Sequence, residues 1–477
     1  MKLVLNGTTI VDPHDGALTR HASVMIDGGK IVQIVTGADA AKDGAAEVID
    51  ARGKFVVPGF LDLHAHPLSS SDPPGNLTLM LANGVTGFRE MASTPAALAA
   101  RQSGTLLSDV MPELLEMAGE ILTPANAPTS EAVVAEIAKQ HAAGADFIKV
   151  IDVRPDVFFA ALAESTRLGL RFIGHLPPSV DVREAASAGM RSIEHLGPRD
   201  SILLGCSTDE PALRAHMAQN PPKPPPISGP IPESVVRRVL ANPTIVTPPP
   251  EFERYARVVD TFSAERCQDL AAHFVATGMW LCPTLIRIRT MELGDDPAYR
   301  DDPNLRYVPP QTRQMWEDVS QQFASQIPAP ARATLKALFA RQLQLVKPLK
   351  GAGVKMLAGS DLGGGFIVGG FGLHAEFDLL EAAGLSPLDV LQMTTSNGAE
   401  FLGRESRMGS VAAGKDANLV LLDANPLESV QNLHRIAGVV RAGTYYPRAA
   451  LEELKKKTEA RMAAWAPTGT AVGPPCC

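Results

Sequence analysis

From about residue 58 to residue 402 the chain alternates short apolar runs with helical patterns, and this limits its fold more than anything else in it. The runs lie near Phe60–His66, Thr86–Met91, Leu114–Met117, Phe147–Ile151, Arg171–His175, Ser192–His195, Trp280–Leu285 and Lys355–Ala358. Most are separated by amphipathic stretches such as Glu131–Ala143, Val157–Leu168, Leu335–Lys350 and Leu373–Ala383. Strands that alternate with helices pair in parallel, because a parallel pair needs a connection long enough to hold a helix. Eight strand-then-helix units are what a (β/α)8 barrel needs to close. A chain of 477 residues has room for that barrel and one smaller domain.

The two ends read differently. Leu3-Val4-Leu5, Ser23-Val24-Met25-Ile26 and Ile31-Val32-Gln33-Ile34-Val35 are strand-like runs closed by Asn6-Gly7, Asp27-Gly28-Gly29 and Thr36-Gly37. Asn418–Asp423 and Ile436–Gly443 share that texture. The expectation is a small β-sandwich domain built from residues 1–57 plus 403–446, flanking a barrel over 58–402. Within the barrel, about 198–279 is a proline-dense insertion, with Pro221-Pro222-Lys223-Pro224-Pro225-Pro226 and Pro248-Pro249-Pro250, of the kind that forms a lid or pocket wall. Residues 447–477 read as a C-terminal helix and a tail disordered past Trp465.

A net charge of -8 argues against a nucleic-acid surface, and no run is long enough to span a membrane or to serve as a signal-peptide core. Cytoplasmic location is the corresponding expectation. Five scattered cysteines without CxxC spacing read as packed thiols and a terminal pair, not as a disulfide framework.

In such a barrel the chemistry gathers where strands end. The first run ends in His64-Ala65-His66, and residues two apart on a strand share a face, so both imidazoles can reach one point. The fourth carries Lys149, the fifth ends in His175, the sixth in His195 and the eighth in Ala358-Gly359-Ser360-Asp361. Imidazoles and a carboxylate suit a borderline metal such as zinc, and this set is large enough for two divalent ions. As an ammonium, Lys149 would repel metals and be costly to desolvate in an apolar strand. Its neutral amine can instead take up carbon dioxide to give a carbamate, whose two oxygens can bridge two cations. Carbamylated Lys149 is therefore the expectation. His374 and Glu376 could line the pocket, and Arg89 could bind substrate or pair with Glu90. Tyr255, Trp280 and Arg287 read as packing residues.

The chain resembles the amidohydrolase superfamily, nearest to its imidazolonepropionase- and prolidase-like binuclear branch. The resemblance rests on Pro58-Gly59-Phe60-Leu61-Asp62-Leu63-His64-Ala65-His66, Asn83-Gly84-Val85-Thr86, Asp146-Phe147-Ile148-Lys149 and Ile193-Glu194-His195. Ala358-Gly359-Ser360-Asp361, Thr395-Ser396-Asn397-Gly398-Ala399 and Gly414-Lys415-Asp416-Ala417-Asn418-Leu419 complete it. It implies one metal on His64, His66, the Lys149 carbamate and Asp361, and a second on the carbamate, His175 and His195. A hydroxide bridging the two would be the nucleophile, with Asp361 as proton carrier. The implied reaction is hydrolysis of an amide bond in a small molecule such as a dipeptide or N-acyl amino acid. Ester or lactone hydrolysis, or a mononuclear deaminase, are the alternatives; deaminases of the superfamily typically lack the strand-four lysine. Relatives often assemble as homo-oligomers.

Overall fold

The computed structural model describes residues 2–37, 46–108, 111–197, 199–220 and 232–465. The N-terminal strands are β1 (Leu3–Val11), β2 (Leu18–Asp27), β3 (Lys30–Thr36), β4 (Glu47–Asp50) and β5 (Phe55–Pro58). The next group is β6 (Phe60–Ala65), β7 (Val85–Glu90), β8 (Glu113–Met117), β9 (Phe147–Val150), β10 (Arg171–Gly174), β11 (Ser192–Glu194), β12 (Trp280–Cys282) and β13 (Lys355–Met356). The C-terminal strands are β14 (Leu419–Leu422), β15 (Ile436–Arg441) and β16 (Thr444–Pro447).

Both chain ends contribute to one sheet, in the order β16-β15-β14-β5-β1-β2-β3 with β4 against β1. The junction is the antiparallel pair β5–β14, in which Leu419 faces Pro58 and Leu422 faces Phe55. Leu3, Leu5, Val24, Ile26, Val56, Leu419 and Leu421 bury themselves in one cluster, which gives the pairing its register.

The middle of the chain forms two all-parallel sheets, β6-β7-β8 and β13-β12-β11-β10-β9. This is the α/β arrangement the alternation predicts, and the five-stranded sheet fits a barrel. Backbone bridges join the two sheets on both sides. Ala118 pairs with Phe147 and Leu122 with Val150 at one junction, and Ala65 pairs with Leu362 at the other. At the second junction Leu63 N donates to Ala358 O at 3.0 Å and His66 N to Leu362 O at 2.8 Å. Every residue of β6 and of β7 is buried, as expected for parallel strands covered on both faces.

Helices Ser130–Ala142, Pro155–Arg167, Ala329–Gly351 and Phe371–Ala382 occupy the predicted stretches. The third begins six residues before the expected Leu335, because Pro330 in its first turn presets a helical φ ahead of the apolar stripe. Between β11 and β12 lie helices Ser201–Gly205, Glu210–Gln219, Glu233–Ala241, Pro249–Asp260 and Ala264–Thr277. The prolines Pro248-Pro249-Pro250 of the expected insertion open one of them. Pro221–Pro226 and the tail after Trp465 lie outside the described residues. Helix Arg448–Ala463 follows β16. Cys206, Cys267 and Cys282 are free and buried. No helix among the described residues is long and apolar enough to cross a membrane.

Candidate active site

The strand ends bring their titratable groups to one place. Lys149 Nζ lies 3.1 Å from His64 Nε2 and 3.4 Å from His66 Nε2. Asp361 Oδ1 lies 3.2 Å from His64 Nε2 and 3.4 Å from His66 Nε2. The His195 ring centroid is 4.5 Å from that of His64 and 4.9 Å from that of His175. One ligand atom from each of His64, His195 and Asp361 falls within 4.8 Å of the others. All are buried except His175, which is half-buried.

Local backbone makes this convergence. Strands β11 and β12 each last three residues and β13 two, so the chain turns sharply just past them. His195 and Asp361 take positive φ values of 58° and 53°, a conformation that costs a non-glycine residue energy and clusters at functional sites. Asp361 N is held by His64 O at 2.7 Å. Gly359 permits the approach: a Cβ there would lie 2.6 Å from His64 Cβ and 2.8 Å from its backbone nitrogen.

A second ring of buried groups orients the first. Glu194 Oε2 lies 2.6 Å from His64 Nδ1, while its Oε1 accepts from Arg89 at 3.1 Å and from the Ser192 hydroxyl at 2.9 Å. Thr284 Oγ1 is 2.5 Å from His195 Nδ1. Arg287 Nε reaches Asp361 Oδ2 at 3.1 Å while its other nitrogens donate to the carbonyls of Leu240 and Ala241. Asp62 accepts from the Ser360 amide at 2.9 Å and hydroxyl at 2.6 Å, fixing the turn that carries Asp361.

The electrostatics favour a cation among these groups. Burial pushes the His175 and His195 imidazoles well below their ordinary range, reinforced at His175 by His195 and Lys149, so both are neutral and offer lone pairs. Burial alone would raise Asp361, but the His64 imidazolium and the hydrogen bonds from His64 and His66 outweigh it and hold the carboxyl well below the carboxylate range. Burial likewise opposes ionisation of Glu194, yet Arg89 and His64 bring it down to about 2. His64 is the exception: burial and Lys149 oppose its protonation, but Asp361 beside Nε2 and Glu194 beside Nδ1 raise its imidazole above the ordinary range, so a cation is stabilised at this point. The buried His175 Nε2 has no hydrogen-bond partner. Imidazoles and a carboxylate facing one another, with one orphaned nitrogen, form a donor set that fits a divalent ion in place of the proton His64 holds.

His64, His66, Lys149, His175, His195 and Asp361 therefore come together. The three residues expected to touch substrate do not line the adjoining cavity. Arg89 is fully buried, with its guanidinium over the rings of Phe147 and Phe401, bonded to Leu63 O and Glu194 and not to Glu90. His374 Nε2 bonds Asn83 O at 2.8 Å and the ring packs edge-on to Phe60, its pKa driven down by burial to about 3. Glu376 accepts from Ile286 N at 2.8 Å, and burial raises it to about 8. Arg287, read as packing, instead meets Asp361. Glu194, Thr284 and Asp62 were overlooked, although Asp62 shares the His64 face of its strand.

A cavity of about 230 Å³ opens beside the cluster. His175, His195 and Asp361 contribute to its lining together with Asp152, Arg199, Tyr255, Arg287, Glu292 and apolar side chains such as Leu335 and Leu338.

The amidohydrolase family model matches residues 274–445. The solved structure of bottromycin amidohydrolase superposes with a TM-score of 0.68 at 24% identity, covering 99% of this chain and 94% of that one. An Xaa-Pro dipeptidase with bound methionine gives 0.62 at 17% identity, covering 94% of this chain and all of that one, 100%. A dihydroorotase of Streptococcus thermophilus (strain CNRZ 1066) is 47% identical over 66 residues, which span 14% of each protein.

Proposed function

We propose that this chain, which belongs to the amidohydrolase superfamily, is a binuclear metal-dependent hydrolase that cleaves an amide C–N bond of a small molecule such as a dipeptide or N-acyl amino acid. The observation that carries the reading is the meeting of four imidazoles, Lys149 and Asp361 at the ends of parallel strands, beside a cavity of about 230 Å³. The joined parallel sheets support a (β/α)8 barrel, and the shared terminal sheet supports a small β domain drawn from both chain ends.

One cation would be held by His64, His66, Asp361 and a carbamate on Lys149, and the other by that carbamate, His175 and His195. Zinc is the metal this donor chemistry favours. When bound, such ions polarise a carbonyl and bring the ionisation of water toward neutral pH. The chain's own residues do the rest. Asp361, ionised and anchored by Arg287, accepts at Oδ1 the proton that the attacking water gives up and delivers it to the leaving nitrogen as the C–N bond breaks. Glu194 and Thr284 fix the ring planes of His64 and His195. Leu335 and Leu338 help to exclude water from one wall of the cavity.

The test is a screen of dipeptides, N-acyl amino acids and simple esters with wild type, chelated and zinc-restored enzyme, and Asp361→Asn. Amide hydrolysis that is lost on chelation, returns with zinc and is absent in Asp361→Asn supports the reading. Hydrolysis that survives either change refutes it.

A further inference from the structure

We propose that the cavity beside the metal-ligand cluster receives an ammonium group of the substrate, and that Glu292 is the residue that recognises it. The reading above supplies the position of the reacting carbonyl, and so this inference rests on it for the substrate's orientation.

Glu292 ends the helix Leu285–Glu292, lines the cavity and is 4% exposed. Its Oε2 has no hydrogen-bond partner. A buried polar oxygen left unsatisfied in a ligand-sized cavity is an unusual expense unless something fills it. Burial, with the acidic Asp200, pushes this carboxyl well above the ordinary carboxylate range, Gln342 opposes them, and no cation is among the groups that bear on it, so an arriving cation is what would let it ionise.

The two guanidiniums that line the same cavity are already matched. Arg199 pairs with Glu251 at 3.2 Å and Arg287 with Asp361 at 3.1 Å. Asp152 adds a further lining carboxyl. Arg199 also bears on Asp152, which leaves Glu292 as the lining carboxyl with no guanidinium against it, and the group that complements it is cationic.

Spacing and lining set the shape of that ligand. Arg287, which touches Asp361, and Glu292 are five residues apart on one helix, about 7.5 Å along its axis at 1.5 Å per residue. Met291, Leu335 and Leu338 supply apolar wall. An ammonium on an aliphatic arm several methylenes from the scissile carbonyl fits both the spacing and the wall, with its N–H bonds donated to Glu292.

Ligand-observed NMR titration of n-pentylammonium and of n-pentanol tests this without any reaction. Wild type, Glu292→Gln and Lys149→Ala are compared. The expected result is ammonium binding about tenfold or more tighter than the alcohol in wild type, the scale of a charge-assisted hydrogen bond. That preference should vanish in Glu292→Gln, with pentanol affinity retained, and persist in Lys149→Ala. Equal affinities in wild type, or a preference untouched by Glu292→Gln, overturn the proposal. Should Glu292→Gln fail to fold, the wild-type ratio alone decides. Amine preference in a protein that hydrolyses no amide would overturn the proposed reaction and leave ammonium binding standing.

Discussion

Glu194→Gln removes one charge and almost no volume from the centre of the buried network. In the native protein Glu194 faces the fully buried Arg89 and His64 together. Removing one partner of a buried pair leaves the other uncompensated, which typically costs about 3–5 kcal/mol. Unfolding entropy of about 2.1 cal/mol/K per residue gives about 1 kcal/mol/K for a cooperative chain of 477 residues, so the melting temperature should fall by about 3–5 °C. The His64 tautomer is lost as well, and loss of such an orienting partner typically weakens metal binding about 10–100-fold. The pH dependence has a definite sign. The carboxyl is held at about 2 against an ordinary 4.5, so its stabilisation is present above pH 4.5 and lost as the pH falls toward 2. The assay is calorimetry of the metal-free protein from pH 7 down to 3, with metal affinity measured by chelator competition. Adding Arg89→Met to Glu194→Gln should return part of the lost stability, because the stranded cation is gone. A Glu194→Gln variant that melts within about 1 °C of wild type and binds metal as tightly would show that Glu194 does not neutralise Arg89 and orient His64.

Two further expectations come from the same region. Glu376 is raised to about 8 from 4.5 by burial, so its contribution is greatest below pH 4.5 and is lost as the pH rises through 8. Glu376→Gln should therefore gain in melting temperature relative to wild type as the pH goes from 5 to 9, and parallel melting curves would contradict the assignment. Gly359→Ala places a methyl 2.6 Å from His64 Cβ, against backbone that cannot retreat. It should cost about 1–3 kcal/mol in melting experiments and weaken metal binding; unchanged values for both would show that His64 is not held there as described.

Much of this arrangement was legible in the sequence because periodicity and strand ends are local signals. Leu3-Val4-Leu5 and the eight apolar runs each declare themselves within a few residues, and His64, His66, Lys149, His175, His195 and Asp361 stand at the ends of such runs or within them. Groups whose role depends on long-range contact were not legible. Arg89 and Glu194 are 105 positions apart, and nothing near either announces the pair. Arg287 looked like a packing residue because its partners, Asp361 and the carbonyls of Leu240 and Ala241, are brought to it only by the fold. The helices opened by Pro249 and Pro330 were misplaced or missed because proline marks both loops and first turns.

As a carbamate, Lys149 would hold two metals together. Elemental analysis of wild type and Lys149→Ala, both produced with bicarbonate, tests it most directly. Two divalent ions per wild-type chain, falling to one or none in the variant, are expected. One ion in both proteins would contradict it.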